Sequence, residues 1–140
     1  MVSVLYPQFL LIDEIIEFHE RMINEHGGSL GLRDRTLLES ALQQPEASFD
    51  GKFLHEDLAS MAAAYLYHLV ENHPFVDGNK RIGAAACATF LHLNHHALPD
   101  FLDEESASGQ TPLELVVLGV IQKSITKLQL AALIRDWIAQ

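Results

Sequence analysis

Cations, cysteines and long apolar runs are scarce in this chain, and each shortage removes a class of function. Nine Lys and Arg stand against nineteen Asp and Glu, a formal net charge of -10. Binding a nucleic-acid backbone needs a dense field of positive side chains, so direct nucleic-acid binding is not expected. One cysteine in 140 residues cannot form a disulfide within the chain. Cys87 lies in an alanine-rich helical run and reads as a small core residue of a protein from a reducing compartment. No apolar run is long and uninterrupted enough to cross a bilayer, and the opening M-V-S-V-L-Y-P-Q lacks a basic region followed by a small-residue cleavage site. The expectation is a cytoplasmic protein, neither secreted nor inserted in a membrane.

What the chain has is hydrophobic residues, 49% of the total, enough at this length to close one core without staples. A single domain over residues 1–140 is expected. The apolar spacing is helical nearly throughout and marks six segments. The first runs from about Pro7 to His26, with Ile12, Ile15, Ile16, His19 and Ile23 on one face and Gly27-Gly28 as its stop. A short second helix is capped by Asp34 and carries Leu37, Leu38, Ala41 and Leu42 up to Pro45. Between Glu46 and Glu56, Phe49 and Phe53 flank the turn pair Asp50-Gly51, which predicts a small hairpin or flap. Asp57 to Asn72 is the most apolar helix and is expected at the centre. After Pro74 and the loop P-F-V-D-G-N, a helix from Arg81 to His95 carries Gly83, Ala84, Ala85, Ala86 and Ala88, small enough for a neighbouring helix to approach closely. D-E-E-S-A-S-G-Q reads as a surface loop. Thr111-Pro112 and Thr126 cap two last helices whose Leu, Val and Ile stripes are expected in the core.

The segment H-P-F-V-D-G-N-K-R, His73 to Arg81, carries chemistry. The first amides of a helix lack internal partners and lie at the positive end of its dipole, so a loop entering a helix can cradle an anion. Gly78 lets the backbone approach a phosphate closely. Asn79 either adds a side-chain amide or holds the loop, and Lys80 and Arg81 put two cations beside the same amides. Asp77 is a hard oxygen ligand suited to Mg²⁺ shared with phosphate oxygens. His73, with an ordinary pKa near ~6.5, can take a proton from an attacking hydroxyl. Phe75 would anchor the loop in the core. Together these groups suit phosphoryl transfer, which is mostly positioning and charge neutralisation.

The same nine residues resemble the signature of the Fic/Doc superfamily, and Lys80, where Fic adenylyltransferases have a second glycine, resembles its death-on-curing (Doc) toxin branch. G-L-R-D-R-T-L-L-E-S-A-L-Q-Q-P, Gly31 to Pro45, is similar to the lead-in of Doc-like chains, and the resemblance covers Leu30 to Leu98. It implies an all-α, compact six-helix bundle with a short β-hairpin flap that docks the substrate protein. It implies ATP and Mg²⁺ as cofactors and His73 as the catalytic base, with Asp77 as the metal ligand. It further implies Gly78 and Asn79 as an anion hole, Arg81 on phosphate, and Phe75 and Lys80 beside the cofactor. The activity implied is that of a toxin kinase, moving the γ-phosphoryl group of ATP to a protein hydroxyl, a threonine of translation elongation factor Tu, and stopping translation. A cognate antitoxin is the implied partner. Ala84 stands where Fic adenylyltransferases commonly carry a second arginine, which favours phosphoryl over AMP transfer. The self-inhibitory pattern of many Fic proteins, Ser or Thr followed four residues later by Glu and then Gly or Asn, does not occur, so inhibition has to come from a partner. AMP transfer and a non-catalytic nucleotide- or partner-binding module remain as alternatives.

Several other residues have plainer readings. His92, His95 and His96 lack a suitably spaced third ligand and read as polar histidines rather than a zinc site. His68 is a core histidine or reaches toward His73 from one turn earlier. Phe49, Lys52 and Phe53 are target-docking groups or hydrophobic pegs.

Overall fold

A helix that is apolar on every side must be surrounded, and α3 (Leu58–Asn72) is the axle of this molecule. In the computed structural model, which describes residues 6–140, nine of its residues are buried, among them Met61, Tyr65, Leu66 and Leu69. Asp57 starts it by accepting from the Ser60 amide at 2.8 Å. Around it stand α1 (Ile12–His26), α2 (Arg35–Gln43), α4 (Asn79–Leu93), α5 (Pro112–Ile121) and α6 (Lys127–Ile138). The architecture is the expected helical one, with a single two-stranded hairpin among the described residues. No helix among them is long and apolar enough to cross a membrane. The expectation about a leader falls largely on residues 1–5, which lie outside the described residues.

The most extensive packing is α3 on α4, and it depends on the small residues there. A Cβ at Gly83 would stand 3.1 Å from Val70 Cγ2 and 3.3 Å from the Leu66 carbonyl oxygen, so glycine lets the two backbones close up. Opposite, α6 buries Leu130, Ala131, Ile134 and Trp137. Truncating a fully buried leucine such as Leu66 in such a core costs about 2–5 kcal/mol. Asp34, Thr111 and Thr126 cap α2, α5 and α6 as their positions foretell, accepting from Leu37, Glu114 and Gln129 at 3.0, 3.1 and 3.1 Å.

Three expectations need correction. Helix α1 starts at Ile12 rather than Pro7, because the preceding backbone is engaged elsewhere. Gln8 exchanges two hydrogen bonds with the Asn94 side chain, at 2.8 and 3.0 Å, and the Leu10 amide donates to the Tyr65 hydroxyl at 3.0 Å. Helix α4 spans Asn79–Leu93 rather than Arg81 to His95. Gly78, at φ 78°, already turns the chain into the helix, and at the other end His95 at φ 69° turns it out. The apolar stripes of the last two helices are only partly core. Val117, Val120, Leu130 and Ile134 are buried, whereas Leu115 is 50% and Leu128 83% exposed.

The flap is the hairpin that Asp50-Gly51 foretells. Strands β1 (Ser48–Phe49) and β2 (Lys52–Phe53) pair antiparallel, and both turn residues have positive φ, 54° and 77°, as the tightest hairpin turn requires. Phe53 packs on Tyr6 and Phe9 with ring centroids 5.4 and 5.7 Å apart. Phe49 is 77% exposed at the tip. One aromatic is therefore a peg and the other is free.

Candidate active site

The nine-residue motif is stapled to the chain that precedes α2. Leu32 and Phe75 form an antiparallel bridge. The Arg33 and Asp34 amides donate to the Pro74 carbonyl at 2.7 and 3.0 Å, and the Val76 amide to the Gly31 carbonyl at 3.0 Å. The last carbonyls of a helix need outside donors, and Arg33 supplies them. Its Nε reaches the His73 carbonyl at 2.7 Å and its Nη2 the Asn72 carbonyl at 3.0 Å. His73 itself caps α3 in the left-handed region, at φ 50° and ψ 54°, so the helix stops at Asn72, two residues before Pro74. The lead-in Gly31 to Asp34 is thus the outer half of the site.

Beneath the loop the contacts are buried. Phe75 is 1% exposed and lies flat on the His19 ring, centroids 3.8 Å apart and planes at 11°. It anchors the loop as expected, and its ring is not part of the cleft lining. Asn79, 5% exposed, accepts from the Phe75 amide and donates to the Phe75 carbonyl, both at 2.9 Å. Of the two readings of its side chain, holding the loop is the one its bonds express. His19 Nε2 meets the Asp77 carbonyl oxygen at 2.7 Å.

Above the loop lies a cleft of about 810 Å³. His73, Asp77, Gly78, Asn79, Lys80 and Arg81 line one side, and α5 lines the other through Leu113, Val117 and Leu118. The first α-helical bond of α4 is donated by Ile82, to Gly78 at 2.9 Å, so the amides of Asn79, Lys80 and Arg81 precede it at the positive end of the dipole. The His73 ring is exposed to the cleft rather than packed in hydrocarbon. One wall therefore combines the first amides of a helix, two cations and an exposed imidazole.

Asp77 is held where it can serve a cation. Its Oδ2 accepts from the Ser29 amide at 3.0 Å and its Oδ1 from the Gly78 amide at 2.8 Å. These two bonds, the Ser29 one first, lower its pKa below the ordinary carboxylate value. Gly28 makes room for the contact, since a Cβ there would come within 2.7 Å of Oδ2. Each oxygen keeps a free lone pair. No group of three or more His, Cys, Asp or Glu suited to a metal occurs among the described residues. A single carboxylate at the edge of an open cleft fits Mg²⁺, which keeps several waters and takes only one or two carboxylates from a protein.

Six of the seven residues singled out in the motif reach the cleft, and Phe75 lies under it. Reading the residues missed His19, Arg33 and Ser29 as parts of the site. Ser29 follows Gly28 and Arg33 lies two residues past Gly31 in the segment between α1 and α2, which is a faint signal. A histidine on an otherwise apolar helix face was the only sign of His19. His68 turns away from the site: its Nε2 meets Lys127 Nζ at 3.2 Å, and burial, then Lys127, push its pKa down to about 4. Burial likewise raises the Cys87 thiol to about 12, as suits a core residue.

A model described as the Fic/DOC family matches residues 9–91, from before α1 through most of α4 and so beyond the Leu30 start of the resemblance. Among curated proteins, "Toxin Doc" of Mycolicibacterium smegmatis is 43% identical over 81 residues, 58% of this chain and 62% of that protein. The chain thus spans about three-fifths of that relative's length.

Proposed function

The chain belongs to the Fic/DOC family, and from that premise we propose that it is a toxin kinase, transferring the γ-phosphoryl group of ATP to a protein hydroxyl. The observation that carries the reading is the meeting of an exposed His73 with the start of α4, Lys80 and Arg81 on one wall of the cleft. Arg81, Lys80 and the first amides of α4 bind and orient the phosphates. His73 takes the proton from the target hydroxyl as its oxygen forms the new bond to phosphorus and ADP departs. Mg²⁺, held by Asp77, would neutralise charge on the phosphate oxygens.

The likeness to a protein named Toxin Doc supports growth arrest as the outcome, and the target we assign, a threonine of elongation factor Tu, rests on the resemblance of His73 to Arg81 to the Doc-type signature. Lys80 and Ala84 support phosphoryl rather than AMP transfer. A cognate antitoxin completes the proposal, because the chain lacks the self-inhibitory pattern, and the place of action is the cytoplasm, where translation runs. The test is mass spectrometry of elongation factor Tu incubated with the protein, ATP and Mg²⁺. A gain of one phosphate is expected. A gain of AMP would replace the kinase by an adenylyltransferase, and no gain would remove this target.

A further inference from the structure

The peptide unit joining Asp77 to Gly78 is gripped at both ends. Its carbonyl oxygen meets His19 Nε2 at 2.7 Å, and its N–H donates to Asp77 Oδ1 at 2.8 Å. A carbonyl only accepts, so Nε2 carries the proton. The ring that makes this bond is itself fixed, 3% exposed and stacked on Phe75. Gly78 has φ 78° and ψ 16°, and glycine occupies positive and negative φ about equally. On the Gly78 side, rotation of this one peptide plane by half a turn is therefore unopposed by a side chain. In the rotated form the carbonyl would leave α1 for the opposite side, where Gly78 lines the cleft, and its negative end would stand where phosphate is to bind.

We propose that His19 is a positioning residue whose Nε2–H locks the Asp77–Gly78 peptide, so that the start of α4 presents amides rather than a carbonyl to a phosphate group. The proposal rests on reading the cleft as a phosphate site. It joins α1 to the chemistry through one buried hydrogen bond, and it gives a reason for a histidine on an apolar helix face.

Two variants separate the bond from the ring. His19→Gln keeps an N–H donor without the ring, and His19→Phe keeps the stack on Phe75 without a donor. In ¹⁵N spectra the Gly78 amide of the Phe variant should double, or exchange with solvent faster by about tenfold, the effect of losing one net hydrogen bond. The amides of Leu69 and Leu91 should not change. Affinity for Mg-ATP should fall about tenfold in the Phe variant and recover in the Gln variant. A Phe variant with the parent's Gly78 signal and affinity overturns the proposal, as does a folded Gln variant that behaves like Phe. Should both variants melt far below the parent, the parent decides: its long-range ¹⁵N spectrum must show the Nε2–H tautomer of His19, and the other tautomer overturns the lock. A parent that binds no nucleotide would defeat the phosphate-site reading alone, since the Gly78 signals still report on the lock.

Discussion

The motif loop and the flap are both short glycine-bearing turns leading into or away from helices, yet different forces hold them. Polar bonds to buried or stapled backbone fix the loop: Asn79 to Phe75, His19 to Asp77, and Arg33 to the end of α3. The flap has two-residue strands, a turn at positive φ and one aromatic peg. A partly buried hydrogen bond has a narrow preferred geometry, whereas apolar attraction is non-directional. The contrast teaches that the cleft wall is the part built for precision, and the flap the part free to adapt to another surface.

The comparison breaks first at the wall. His73→Ala should lower transfer about 10²- to 10⁴-fold with the melting temperature unchanged, because the ring is exposed; a variant as toxic as the parent would show that general-base chemistry is not the cause. Asp77→Ala should abolish Mg²⁺-dependent turnover and leave the circular dichroism of the fold intact, and an unfolded variant would assign the residue a structural task instead. Asn79→Ala orphans a buried amide and a buried carbonyl at Phe75, each at a cost of about 1–3 kcal/mol, which denaturant unfolding would read.

A fourth test sharpens the contrast away from the cleft. The unfolded chain has His68 near its ordinary value of about 6.5, and the folded chain has it at about 4. Between these values the unfolded state binds more protons, so stability is full above pH 6.5 and falls as pH drops toward 4. Replacing His68 by Gln should flatten the melting temperature across that window. The smallest effect is expected at the flap tip: Phe49→Ala, at a side chain that is mostly exposed, should shift stability by under about 0.5 kcal/mol while weakening transfer to a protein target more than nucleotide binding.

How far these regions can be read in the sequence follows from the reach of their interactions. The caps at Asp34, Thr111 and Thr126 and the turn at Asp50-Gly51 are local, set by side chains within three residues of the backbone they serve, and they are legible. So is the cluster of His, Asp, Lys and Arg around Gly78. The early start of α4 is not, because it hangs on Gly78 taking φ 78° in the folded chain. Nor is the part of His19, whose partner lies 58 residues along the chain, or the start of α1, where Gln8 and Leu10 bond to Asn94 and Tyr65 instead of continuing the helix.

The account stands on the start of α4 receiving phosphate. Titrating ¹⁵N-labelled protein with Mg-ATP tests this most directly. The amide signals of Asn79, Lys80 and Arg81 should move first and saturate together, with the His73 ring following. Signals that stay fixed there while others move elsewhere, or no movement at all, would contradict it.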